Sequence, residues 1–120
     1  MYFEIDDYNA LKAALNSLCR GLSERDIPQE TVYDSKLVAD ELLSNALRHG
    51  GGKAYFSVDV EEDMISLSVR SVHAFRPPDK SILSGREAEH GRGLYIVDAL
   101  VETRRYSEEG GTSVVIRIRK

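Results

Sequence analysis

At Gly50–Gly52 the spacing of apolar residues changes from a helical to an alternating period, and this switch limits what the chain can fold into. Before it, Ala39, Leu42, Leu43, Ala46 and Leu47 recur at i, i+3, i+4, i+7 and i+8, one face of a helix that begins near Pro28 and runs to about His49. The three glycines stop that helix. After them Ala54, Phe56, Val58 and Val60 alternate with mostly polar residues, EED at 61–63 makes a turn, and Ile65, Leu67 and Val69 alternate again. This is an antiparallel hairpin with one buried face.

The rest of the chain extends the same scheme. YFEI at 2–5 reads as a short strand, and Asp6 and Asp7 are N-cap candidates for a helix over about 8–21, with Leu11, Ala14, Leu15, Leu18 and Leu22 facing inward. Residues 72–90 keep no period and form a long loop of the kind that often closes over a site. GRGLYIVDALVE then opens a helix at its glycines, with Leu94, Val97, Leu100 and Val101 inward. A closing hairpin has strands at 103–108 and Thr112 to Arg119 around EEGG. One domain, 1–120, is expected, an α+β two-layer sandwich with helices on one face of a mixed, mostly antiparallel sheet.

Composition narrows the function classes. A hydrophobic fraction of 42% and a charged fraction of 30% are those of a soluble globular chain, with no membrane-spanning run. MYFEIDDYNA carries no basic region followed by an apolar one, so a cytoplasmic location is expected. A net charge of −4 argues against direct nucleic-acid binding, which rests on many Lys and Arg contacts to phosphate. The basic ending RIRK is read as the outward face of the last strand. Cys19 is alone, which excludes an internal disulfide and a cysteine zinc site, and it is assigned to packing. GGGK at 50–53 lacks the spacing of a phosphate loop, and no serine has the neighbours of a hydrolase elbow.

The chemistry concentrates in ADELLSNALRHGGG, residues 39–52. Around the helix, Asn45 lies about 40° from Glu41, and Arg48 about 20° to its other side. They form one polar stripe at the shoulder of the apolar face. A carboxylate and a carboxamide on one helix, facing a loop and a glycine-started helix whose amides attract anions, describe a metal–nucleotide site. There the Asn oxygen ligates Mg²⁺ and the carboxylate acts as base. Three histidines, His49, His73 and His90, fall near the same segments, but without a close-spaced pair they make a poor zinc site.

At this point the sequence resembles a known family. DELLSNALRHG is similar to the N box, and HGRGLYIVDAL to the second glycine box, of the GHKL (histidine-kinase-like) ATPase superfamily. The ending EEGGTSVVIRIR resembles that of the bacterial anti-sigma factors that are serine/threonine-protein kinases. The resemblance spans nearly the whole chain and implies the following roles. Asn45 holds Mg²⁺ on the triphosphate of ATP, and Glu41 is the general base. Gly91 and Gly93 approach the phosphates, Thr112 lies near the adenine, and His49 lies near the nucleotide. Arg92 or Arg86 reaches the terminal phosphate. The implied partners are a small antagonist protein of the anti-anti-sigma type, phosphorylated on serine, and a sigma factor, with a homodimer possible.

One part of the pattern is missing. The family's first glycine box reads Asp-x-Gly-x-Gly, and its Asp accepts a hydrogen bond from the adenine amino group. Here VRSVHAFRPP places Ser71 at the Asp, and His73 and Phe75 at the glycines. Weaker pairing of a buried amino group costs about 1–3 kcal/mol, one to two decades in affinity. The alternative expectation is therefore a non-catalytic partner-binding module with weak or no nucleotide binding.

Overall fold

The computed structural model describes residues 1–73 and 88–118, with the backbone alone for 88–92. Its elements run β1 (Tyr2–Ile5), α1 (Tyr8–Glu24), α2 (Gln29–His49), β2 (Ala54–Glu61), β3 (Met64–Ser71), α3 (Ala88–Leu100), β4 (Thr103–Ser107) and β5 (Gly111–Arg117). The strands form one sheet in the order β1-β2-β3-β5-β4. Every pairing among the described strands is antiparallel, so the sheet is simpler than the mixed one expected. No helix among the described residues is long and apolar enough to cross a membrane.

The two periods do what the sequence requires of them. Phe56, Val58, Ile65, Leu67, Val69, Val114 and Ile116 project from one sheet face and are buried. Leu11, Ala14, Leu15, Leu18 and Leu22 of α1 and Val38, Ala39, Leu42, Leu43, Ala46 and Leu47 of α2 cover them. Burying a Leu or Ile side chain contributes about 1.5–3 kcal/mol, so this interleaved layer is the main source of stability. The opposite face carries Ser57, Ser66, Ser68 and Ser113, and the Ser68 and Ser113 hydroxyls meet at 3.2 Å.

Local chemistry sets the helix ends. Asp7 caps α1, its carboxylate accepting from the Ala10 N–H at 2.7 Å. The helix runs one turn beyond the expected 21, because nothing between Gly21 and Glu24 breaks it. Pro28 is the N-cap of α2, just outside the helix. The Gly50 N–H closes α2 on the Ala46 carbonyl at 2.8 Å.

The glycines after α2 also allow a close approach to the end of β3. A Cβ on Gly50 would overlap the Ser71 side chain, and one on Gly51 the His73 ring. The His73 N–H donates to the Gly50 carbonyl at 2.9 Å. Cys19 is partly buried against the core. Arg117 is exposed as expected and bridges Asp63 and Glu102, both at 3.2 Å. Arg119 lies outside the described residues.

Candidate nucleotide site

The second half of α2 and the start of α3 meet over the end of the sheet. Glu41 projects from α2 so that its carboxylate lies against the backbone of Gly93, where a Cβ would overlap it. Only a glycine permits this approach. The carboxyl is half-buried, and burial, followed by the charge of Asp40, raises its pKa above the ordinary range, with Arg48 opposing the shift. A raised carboxylate is a better proton acceptor near neutral pH.

One turn further along α2, Asn45 lines a cavity between helices and sheet. Leu42, Ala46, Val69 and Leu94 give it apolar lining, and Ser71, Thr112, Tyr106 and Glu108 line it as well. The ladder explains the grouping. Thr112 pairs with Val69 on one side and Tyr106 on the other, and Ser71 follows Val69 by two residues on the same strand face. The interior is about 30 Å³, room for about one or two waters. That volume is smaller than a purine base.

The structure brings Glu41 to Gly93, and places Asn45, Ser71 and Thr112 on one cavity. It does not bring His49 there: that side chain is exposed in the last turn of α2 and is not among the lining residues. Gly91 and Gly93 do not open α3. The helix starts at Ala88, because Ala88 and Glu89 are strong helix formers and extend it by three residues. The Gly93 amide therefore belongs to the helical ladder, and Gly93 serves the site by admitting Glu41. The side chain of Arg92 lies outside the described residues, as do Phe75 and Arg86. Among the described residues no group of three His, Cys, Asp or Glu could hold a metal. The His90 side chain lies outside the described residues.

Sequence reasoning missed three features. The Arg48 guanidinium donates to the Asn45 carboxamide oxygen at 2.6 Å. Their three-residue spacing on a helix was the available signal. Arg104 on β4 grips Asp98 on α3 through two hydrogen bonds of 2.6 and 3.0 Å, and with the Arg104 side chain 9% exposed this fork ties α3 to the sheet edge. Tyr106 and Glu108 join the cavity only through strand register, which periodicity does not reveal.

A two-layer α+β sandwich with this order of elements is the fold of the GHKL ATPases. A profile of the histidine kinase-like ATPase domain matches residues 6–118, and the chain belongs to that family. Among solved structures it is similar to the Acinetobacter baumannii histidine kinase AdeS, at 18% identity and a TM-score of 0.55, over 100% of this chain and 68% of that one. That likeness concerns the fold. Comparison with curated proteins finds no match.

Proposed function

We propose that this chain binds ATP with Mg²⁺ and acts as an anti-sigma-type serine/threonine-protein kinase, phosphorylating a small antagonist protein and holding or releasing a sigma factor accordingly. The observation that carries the reading is the Glu41 carboxylate pressed against Gly93, one helical turn from Asn45. An amide oxygen suits Mg²⁺, which takes few protein ligands and completes its shell with water and phosphate oxygens. Asn45 offers one such oxygen, now engaged by Arg48. Bound there, the cation would neutralise charge on the phosphates.

Glu41 accepts the proton of a serine hydroxyl as its oxygen attacks the γ-phosphorus. The bond from that phosphorus to the β-phosphate bridging oxygen breaks, and ADP leaves. Arg48 exchanges Asn45 for the nearby phosphate charge.

The second reading, a partner-binding module without turnover, is favoured by the small cavity and by Ser71 in place of an aspartate. Phosphate release from ATP with Mg²⁺, water standing in for the serine, separates the two. Slow release by the wild-type chain that disappears in Glu41→Gln supports the kinase; no release from a chain that binds ATP supports the module.

A further inference from the structure

Gly93 and Asp98 flank the apolar face of α3 on opposite sides. At about 100° per residue, Asp98 lies about 140° around the helix from Gly93, and the buried Leu94 and Val97 fall between them. One flank meets α2, where the Gly93 backbone touches the Glu41 carboxylate. The other meets β4. That strand is the last in the sheet and pairs with β5 alone, Arg104 standing opposite Val114. Val114 is buried beneath the helices, so Arg104 projects into the same layer. There its guanidinium takes both Asp98 oxygens, Nε to Oδ1 at 2.6 Å and Nη2 to Oδ2 at 3.0 Å.

Two parallel bonds between a planar guanidinium and a planar carboxylate fix direction as well as distance. The short chain between the two residues is also held. The Val101 N–H closes the end of α3 on the Val97 carbonyl at 3.0 Å, and the Glu102 N–H donates to the Val115 carbonyl at 2.7 Å. These bonds stop α3 from sliding along its axis, and the fork stops it from rolling. With Cα atoms on a radius of about 2.3 Å, a roll of about 25° carries the Gly93 backbone about 1 Å past Glu41. Misplacement of that size at a reacting group costs up to about a hundredfold in rate.

We infer that Arg104 is a positioning residue: through its fork to Asp98 it sets the roll of α3, and so the depth at which Gly93 receives the Glu41 carboxylate. The inference rests on the kinase reading for its effect on rate, whereas the contact itself belongs to the fold. The charges that shift Glu41 are those of Asp40 and Arg48, so the fork acts on it through the helix and not through space.

The test uses two variants of the full chain. Asp98→Leu with Arg104→Leu removes the pair without leaving either charge unpaired, and Arg104→Lys keeps the charge but gives up the fork. Thermal melting shows whether each is folded, NMR titration follows the Glu41 carboxyl, and phosphate release from ATP with Mg²⁺ gives the rate. In the double variant Glu41 is expected to titrate back toward the ordinary carboxylate range, with Arg104→Lys between it and wild type, and phosphate release to fall by about tenfold or more. Should the double variant not fold, Arg104→Lys decides by the same Glu41 readout. Folded variants in which Glu41 titrates as in wild type overturn the inference, because a purely structural fork would change only the melting temperature. No phosphate release by the wild-type chain overturns the kinase reading instead, and the Glu41 titration still decides this one.

Discussion

Arg48 Nη2 donates to Asn45 Oδ1 at 2.6 Å, so the oxygen proposed to hold the metal is occupied by a cation of the chain's own. Metal binding then requires that this bond open. Both groups are partly solvated, which limits its worth to about 1 kcal/mol. Arg48→Ala is expected to lower the Mg²⁺ concentration for half-maximal ATP binding by about fivefold, and to weaken metal-free ATP binding, since a positive charge is lost. A Mg²⁺ titration at fixed ATP checks it. An unchanged or higher Mg²⁺ requirement contradicts it.

The raised Glu41 pKa gives a stability prediction of definite sign. The folded state holds this proton more tightly than the unfolded one, so stability falls as pH rises from the unfolded carboxyl pKa, about 4.3, through the folded one. The penalty is full above both values and absent below both. Glu41→Gln is therefore expected to melt at a higher temperature than wild type at pH 7, with the gap closing near pH 4. Melting curves across that range decide it; a gap independent of pH counts against the raised pKa.

Gly93→Ala separates packing from chemistry. A Cβ there overlaps only the end of the flexible Glu41 side chain, which can swing outward. Alanine also favours the helix by about 1 kcal/mol. The expected outcome is a chain as stable as wild type or more so, with the Glu41 pKa back near the ordinary carboxylate value by NMR titration and phosphate release lost.

Gly111 is a different case. It has φ of +74°, and a Cβ would strike the backbone of Val69 and Arg70, neither of which can turn aside. Gly111→Ala is expected to cost about 2–3 kcal/mol. Gly52→Ala, with φ of +82° and nothing within 4 Å, keeps only the backbone strain and is expected to cost about 1 kcal/mol. Chemical denaturation ranks them. Equal losses would mean that the contact with β3 is unimportant.

How much of this was legible in the sequence follows from what each element depends on. The core faces of α1 and α2 are single-helix periodicities, so Leu18 and Leu43 are readable without knowing what covers them. β1 begins and ends at the residues expected, and Asp7 caps the helix that follows it. Glu41 and Asn45 share a stripe fixed by helix geometry alone, and the resemblance supplied their roles. Other relationships depend on two elements meeting. Gly93 was read as a helix opener because its partner, the Glu41 carboxylate, comes from another helix. Tyr106 reaches the cavity because β4 pairs with β5 in one register. The Asp98–Arg104 fork needs α3 and β4 already docked.

The most direct measurement of the central claim is calorimetric titration of ATP into the wild-type chain and into Asn45→Ala, each with and without Mg²⁺. The account predicts that the wild-type chain binds ATP more tightly with Mg²⁺, and that Asn45→Ala loses this enhancement at nearly unchanged melting temperature. Equal Mg²⁺ dependence in the two chains, or no binding by the wild-type chain, would contradict it.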